Sequence, residues 1–439
     1  MLEHIQQLAL LNALLANWDG IRLRMEPLSP AAAERLAQLG LLLARADSPD
    51  DLARLIDDLL DLAVDTPAGA YVRELVARSG LGGRATGLRQ AAYAEASPEA
   101  PEQVLETGRE LAGAVSADTD IRRVPVFFAT NRKPGTLPRD LFLGEPAGQI
   151  SFGLASVTIP VAKHRIGRVE TPRWWTLFPD SNREQRFVTI AEVSALDRGA
   201  FRAGIERAAA GADAPELLVF LHGYNVTFEE AARRAAQLAC DMSFPGIVVL
   251  FSWPSLGGLL HYPADEERAA ASADGLAEFL GVLEGGPWRH VHLVAHSMGN
   301  RVMLLGLADN PRPAVPFGQV VFVAADIYVD VFVPKWRKLL AAGSLPATSY
   351  TSGRDWALGV SHFLHRADRI GFVQGTPYLA DGVDTVDATA VDTSFIGHGY
   401  FSSERSLLTD LGLLLRKGLS PRDRGLHAGP GGKYWSFPR

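Results

Sequence analysis

The chain has 439 residues, more than one ordinary domain needs and enough for two. Its 43 Lys and Arg against 50 Asp and Glu give a net charge of -7, and no basic tract accumulates, which argues against a nucleic-acid partner. The single cysteine, Cys240, cannot form an internal disulfide, so the chain needs no oxidising compartment.

Residues 1–118 contain almost no strand pattern and are predicted to form an all-helical N-terminal domain. Ser/Thr-Pro pairs such as Ser29-Pro30 and Thr66-Pro67 each supply an N-cap oxygen and a proline at the first helical position. The first apolar stretch lacks a preceding basic run, which predicts an amphipathic helix rather than a signal peptide and hence a cytoplasmic protein. We expect this bundle either to narrow a substrate pocket or to mediate partner binding, including homo-oligomer formation.

Residues 119–420 are predicted to form an α/β domain, followed by a C-terminal tail over 421–439. β-Branched and aromatic runs predict strands at 124–129, 187–192, 217–221, 246–253, 290–295, 319–324, 347–351 and 384–391. Alanine- and leucine-rich runs between them predict helices at 228–242, 265–283, 298–308, 329–342 and 403–415. This alternation predicts a mostly parallel sheet with helices on both faces and a ligand site at the carboxyl ends of its strands. No run of about 18 apolar residues occurs, so no membrane span is expected.

A buried strand that breaks sharply into a helix carries the candidate nucleophile, Ser297. The motif Ala295-His296-Ser297-Met298-Gly299 has the form of a nucleophile elbow, with alanine in place of the first glycine of G-x-S-x-G. The small residues at 295 and 299 are expected to let strand and helix approach. The helix N-terminus would then present the Met298 N–H to a developing oxyanion.

A second strand ends in His222-Gly223, and glycine there lets the backbone come close to a substrate. By its position in the loop, Tyr224 is predicted to supply the second oxyanion N–H. His222, Gly223, Trp253 and His296 are expected to line the pocket, although a core position for Trp253 is equally compatible with its sequence. The elbow and this loop together predict the α/β-hydrolase fold.

Chain order in that fold places the acid and then the histidine after the nucleophile. His398 is flanked by two glycines, follows the last predicted strand and precedes the final helix, so it is the predicted general base. Asp355 follows the strand at 347–351 and is favoured as the acid. Asp326 follows the preceding strand and remains an alternative, with a helix cap as its structural interpretation.

Cofactors and metals are not indicated by the sequence. His290-Val291-His292 places two imidazoles on one face of a strand, but no third ligand lies nearby in sequence, so no metal is predicted. No phosphate-binding P-loop and no dinucleotide fingerprint follows a strand.

Several motifs occur in the order found in a widespread bacterial α/β-hydrolase family catalogued as a domain of unknown function. They are Phe128-Ala129-Thr130-Asn131-Arg132, Val157-Thr158-Ile159-Pro160, His222-Gly223-Tyr224-Asn225, Ala295 to Arg301, Ala324-Ala325-Asp326 and Ile396-Gly397-His398. The chain resembles this family over roughly 121–418. The resemblance implies the fold and a triad of Ser297, Asp355 and His398, and it implies little about the substrate.

The sequence therefore predicts a serine hydrolase, with a carboxylesterase acting on small to medium acyl esters as the favoured function. A lipase, thioesterase or amidase would use the same residues. A hydrolase-fold protein that acts as an interaction or signalling module is the alternative from a different class.

Overall fold

The computed structural model describes residues 121–438, apart from 138–139, 162–163, 165, 168–183, 185, 213–214, 257–261, 312, 344, 354–367, 374 and 392–400. The predicted N-terminal helical domain, residues 1–118, lies outside the described residues. Within the described part of the chain, no helix is long and apolar enough to cross a membrane.

The described residues form eleven strands and seven α-helices. The strands are β1 (Ile121–Leu137), β2 (Asp140–Pro160), β3 (Thr189–Leu196), β4 (Glu216–Leu221), β5 (Ile247–Ser252), β6 (His290–His296), β7 (Phe317–Val323), β8 (Ala347–Thr351), β9 (Val383–Asp387), β10 (His427–Ala428) and β11 (Trp435–Ser436). The helices are α1 (Arg198–Ala209), α2 (Phe228–Asp241), α3 (Tyr262–Ala271), α4 (Ala273–Val282), α5 (Gly299–Asp309), α6 (Val329–Ala341) and α7 (Phe401–Lys417).

All eleven described strands join one sheet in the order β10-β11-β9-β8-β7-β6-β4-β5-β1-β2-β3. The seven strands from β9 to β1 in this order are parallel to their neighbours. β2 is antiparallel to β1 and β3 is antiparallel to β2, so the sheet is mixed at that edge. In the parallel part the carboxyl ends of the strands meet along one edge, which is where ligand sites form in such sheets.

Alternate residues of the central strands pack on opposite faces of the sheet, as the twofold repeat of a strand requires. Val321 and Val323 of β7 join the hydrophobic core that contains the apolar residues of α2 and α7. Phe322 points to the other face, with its ring against Phe332 and Trp336 of α6. The sheet therefore lies between two helical layers, and both faces of β7 are buried.

The structure differs from the sequence prediction in four main places, and the first is α1, for which no helix was predicted. β1 and β2 form a long hairpin, and no strand was predicted over the residues of β2. The helix predicted over 265–283 is two helices separated at Ser272, whose hydroxyl donates to the Arg268 carbonyl and accepts from Asn131 Nδ2. The predicted C-terminal tail contributes β10 and β11, and β11 pairs in parallel with β9.

Candidate active site

Ser297 occupies the turn between β6 and α5, the strand-to-helix junction that the sequence predicts. Its backbone has φ of 50°, in the left-handed region, which costs a residue with a side chain about 1–2 kcal/mol. From Val291 to Asn300 every residue except Ser297 is buried. The strained turn therefore brings this one side chain toward solvent at the carboxyl end of a central strand, which is the geometry of a nucleophile elbow.

Hydrogen bonds from neighbouring segments hold the strained turn. The Ser297 N–H donates to the carbonyl of Val323, at the end of β7, at 3.0 Å. Asn300 Nδ2 donates to the Ser297 carbonyl at 2.9 Å and to the Val323 carbonyl at 3.0 Å. The Asp326 N–H also donates to the Ser297 carbonyl, at 3.2 Å. These bonds from β7 and from the first turn of α5 offset the conformational cost at Ser297.

Gly299 allows α5 to approach the end of β4. A Cβ atom at position 299 would lie 2.3 Å from the carbonyl oxygen of His222 and 2.9 Å from that of Leu221. The small residue therefore lets the helix approach a strand, and the strand it approaches is β4 together with the loop that follows it. Gly299 thus couples the position of the elbow to the position of the loop after β4.

Gly299→Ala is expected to lower the free energy of unfolding by about 2–3 kcal/mol, because the new methyl group meets backbone atoms that must move apart. Gly281→Ala in α4 is the matched control, because a Cβ atom there has no neighbour within 4 Å. The control should be neutral or stabilising by about 0.5–1 kcal/mol. Urea unfolding of both variants measures the difference, and equal stabilities would contradict the close approach.

The loop after β4 lies directly against Ser297. A Cβ atom on Gly223 would lie 3.0 Å from the Ser297 Cβ atom and 2.8 Å from His296 Nδ1. Asn225 has φ of 57°, a conformation that asparagine tolerates better than most residues. The two predicted oxyanion donors, the Tyr224 and Met298 N–H groups, thus belong to segments that immediately adjoin Ser297.

Three of the residues predicted to line the pocket are buried beneath this loop. Trp253 is 0% exposed, His222 1% and His296 8%. The Trp253 ring stacks on His222 with centroids 5.1 Å apart, and its Nε1–H donates to the His222 carbonyl at 2.8 Å. Trp253 is therefore a core support of the loop, which is the alternative that its sequence left open. Burial lowers the pKa of His296 to about 3, with repulsion from Arg234 as a further cause.

Arg132 lies beneath the same loop and is 1% exposed. Its guanidinium donates to the Val226 carbonyl at 2.7 Å, to the Ser255 carbonyl at 3.1 Å and to Ser252 Oγ at 2.9 Å. These bonds connect β1 to the loops that follow β4 and β5. Burial lowers the pKa of Arg132 to about 10, so the group keeps its positive charge at neutral pH.

Asp326 lies beside the elbow, and its carboxylate pairs with a buried arginine. Asp326 Oδ1 is 3.0 Å from an Nη atom of Arg369, and the two side chains are 3% and 0% exposed. The Arg369 guanidinium also lies 3.6 Å from the centroid of the Tyr328 ring. Because a buried guanidinium needs this charge, the ion pair gives Asp326 a structural role next to Ser297.

Asp355 and His398, the predicted acid and base, both lie outside the described residues. The strands that precede them in sequence are described, and Thr351 at the end of β8 pairs with Asp387 at the end of β9. β6, β7, β8 and β9 therefore end along the same edge of the sheet as Ser297.

Sequence reasoning missed the structural roles of Arg132, Asn300 and Arg369. Arg132 and Asn300 belong to motifs that carry the family resemblance, as polar residues at the ends of apolar runs. The sequence therefore indicated that these positions matter, although it did not indicate what they do. Arg369 gave no comparable signal, because its partner Asp326 belongs to another segment of the chain.

A second polar cluster lies at the opposite edge of the sheet, where β4 and β6 begin. Among the described residues it is the group of three that could hold a metal ion: Glu216, His290 and His292. The Gln319 N–H donates to His292 Nδ1 at 2.9 Å, so the proton of a neutral His292 is on Nε2, which faces a Glu216 oxygen at 3.6 Å. His290 Nδ1 is 3.0 Å from the other carboxylate oxygen. A metal would need a lone pair at His292 Nε2, so this pattern favours a carboxylate between two imidazoles.

His292 makes stability depend on pH. Burial is the main cause that lowers its pKa from 6.5 to about 4, while Glu216 acts in the opposite direction. Between these values the unfolded chain binds the proton more readily, so stability is lost as the pH falls from about 6.5 toward 4. The loss between pH 7 and 5 is expected to be about 1–2 kcal/mol. Urea unfolding at both pH values should give a smaller difference for His292→Asn, and an unchanged difference would contradict this assignment.

Comparison with known proteins identifies one sequence family. Residues 198–416 match the model of a family described as an alpha/beta hydrolase of unknown function (DUF900). Among solved structures, a hyperthermophilic esterase from the archaeon Pyrobaculum calidifontis is 14% identical, with 72% of this chain and 88% of that chain covered and a TM-score of 0.27. Comparison with curated proteins gives no significant match.

Proposed function

Residues 198–416 belong to the alpha/beta hydrolase family of unknown function (DUF900), and from that premise we propose that the chain is a serine hydrolase that cleaves carboxylic esters. The match confirms the family resemblance, and four of the six motifs lie within the matched residues. The observation that carries the proposal is the backbone of Ser297, which has φ of 50° at the turn between β6 and α5. A strained, partly exposed serine at this position is the arrangement that presents a nucleophile to a substrate.

The two segments that adjoin Ser297 contain the proposed oxyanion donors. The Tyr224 N–H follows Gly223, whose backbone lies against Ser297, and the Met298 N–H belongs to the residue before α5. The amides at a helix N-terminus carry partial positive charge, which suits a developing oxyanion. One such donor is worth roughly 3–4 kcal/mol in the transition state.

The reaction proceeds through an acyl-enzyme. His398 takes the hydroxyl proton as Ser297 Oγ attacks the ester carbonyl, and the Tyr224 and Met298 N–H groups hold the oxyanion. The tetrahedral intermediate collapses, and the alcohol leaves with the proton from His398. Water then attacks the acyl-enzyme and gives a proton to His398. His398 passes this proton to Ser297 Oγ as the bond between Oγ and the acyl carbon breaks, which releases the carboxylic acid and restores the Ser297 hydroxyl.

Asp355 is proposed to hold the His398 imidazole in the tautomer that this sequence of transfers needs. The ion pair between Asp326 and Arg369 supports this choice, because it gives the carboxylate of Asp326 a separate structural task. Small to medium acyl groups, a cytoplasmic location and self-association through residues 1–118 remain part of the proposal.

The proposal is tested with p-nitrophenyl esters of increasing acyl length, together with amide and thioester analogues, assayed on the full chain. We expect the highest kcat/KM for short to medium esters. If kcat/KM were highest for long-chain esters, thioesters or amides, the proposed substrate class would be wrong. Ser297 would remain the nucleophile. Absence of turnover for every compound would contradict the enzyme and favour an interaction module.

A further inference from the structure

We infer that His222 is a positioning residue that sets the direction of the Tyr224 N–H toward the oxyanion. The inference rests on the proposed function and begins with one hydrogen bond. His222 Nδ1 lies 2.8 Å from the carbonyl oxygen of Gly223. A carbonyl oxygen only accepts, so Nδ1 carries the imidazole proton and donates it to the loop backbone.

This bond fixes the plane of the peptide between Gly223 and Tyr224. In a trans peptide the C=O and N–H groups point in opposite directions. A Gly223 carbonyl held toward the His222 ring therefore turns the Tyr224 N–H away from that ring. Glycine resists rotation of its backbone less than any other residue, so without the bond this peptide could turn at little cost.

The tautomer of His222 is set by the groups around its other nitrogen. Nε2 lies 3.3 Å from an Nη atom of Arg132 and 3.1 Å from Ser252 Oγ. Arginine only donates, and Ser252 Oγ accepts from Arg132 Nε at 2.9 Å, which leaves the serine hydroxyl proton for His222. Nε2 is thus an acceptor, and Nδ1 must hold the proton.

The imidazole is also held neutral and in one place. Burial, followed by repulsion from Arg132, lowers the pKa of His222 well below its usual value. Trp253 stacks on the ring at an interplanar angle of 12° and donates to the His222 carbonyl. A single neutral tautomer therefore directs the Gly223 carbonyl throughout the neutral pH range, and His222 does so from a buried position, since it is 1% exposed.

The test compares three variants of the full chain. His222→Asn places an amide N–H near the position of Nδ1, so it can still donate to the Gly223 carbonyl. His222→Gln places its amide near the position of Nε2, so it keeps a polar group toward Arg132 and loses that donor. His222→Leu loses both. Asparagine and glutamine are matched in polarity, so their comparison is informative even where the leucine variant does not fold.

We expect kcat to fall less than about fivefold for His222→Asn and about 10–10²-fold for His222→Gln and His222→Leu, because a misdirected donor forfeits part of the 10²–10³-fold effect of a whole donor. KM for a p-nitrophenyl ester should change little. The inhibition constant of a trifluoromethyl ketone, which forms a tetrahedral adduct with the serine, should rise by the factor by which kcat/KM falls.

Equal kcat values for the asparagine and glutamine variants, with losses confined to Tm, would show a merely structural histidine and overturn the inference. The proposed function fails separately. A wild-type chain that hydrolyses no ester and does not react with a fluorophosphonate contradicts both proposals. An active, labelled wild type with the wrong ranking of variants contradicts only the role of His222.

Discussion

Ser297→Ala is expected to reduce kcat for ester hydrolysis by about 10⁴–10⁶-fold, the largest effect of any single substitution in this chain. The hydroxyl is the only group proposed to form a covalent bond with the acyl carbon, so the remaining donors can only polarise the substrate for attack by water. The backbone at 297 is already left-handed with a side chain present, so alanine should leave the free energy of unfolding nearly unchanged. Steady-state kinetics and urea unfolding measure the two effects.

Ser243→Ala is a matched control for this substitution. Ser243 also has a left-handed backbone, with φ of 49°, and it is exposed between α2 and β5. Ser243→Ala thus removes the same hydroxyl from the same backbone conformation, at a position away from the elbow. The control should keep wild-type kcat and KM. A Ser297→Ala variant with more than about a hundredth of wild-type kcat would exclude Ser297 as the nucleophile.

Asp355→Asn is expected to reduce catalysis, whereas Asp326→Asn is expected to reduce the stability of the fold. Asp355→Asn should lower kcat by about 10⁴-fold with little change in Tm, because the amide favours the wrong tautomer of the general base. Asp326→Asn removes the charge that faces buried Arg369, so it should lower the free energy of unfolding by about 3–5 kcal/mol. Its folded fraction should still hydrolyse esters.

The pair of variants separates a catalytic acid from a structural one. Activity is expressed per folded molecule, with the folded fraction from circular dichroism at the assay temperature. An Asp326→Asn variant of wild-type stability that has lost about 10⁴-fold in kcat would move the acid to Asp326. The Asp355→Asn variant would then be active.

The central strands could be predicted from sequence, while elements that depend on distant partners could not. β4 and β6 are short and mostly apolar, and their predicted bounds differ from the observed ones by one residue at most. β2 contains glycine and proline, and its pairing with β1 shifts register three times, so no local alternation identifies it. Ser272, at the break between α3 and α4, accepts a hydrogen bond from Asn131, far away in the chain. β10 and β11 have two residues each and are too short to give a pattern.

The residues of the candidate site could likewise be predicted from sequence where their signal is local, and could not where they depend on distant partners. Ser297 and Gly223 could be predicted because an elbow and an oxyanion loop need small residues at fixed neighbouring positions. His222 contacts Arg132, 90 positions away in the chain, and Arg132 contacts Ser252, 120 positions away. Contacts between such distant residues cannot be predicted from the local sequence. The same holds for the pairing of Asp326 with Arg369, which only the three-dimensional structure reveals.

The central claim, that Ser297 is the nucleophile of a serine hydrolase, is tested most directly by locating a covalent adduct. The native full chain is treated with a fluorophosphonate, digested and analysed by tandem mass spectrometry, with heat-denatured chain as the control. The account predicts one phosphonyl group on the peptide that contains Ser297 and no adduct after denaturation. A native chain that stays unmodified, or that carries the adduct on another serine, would contradict it.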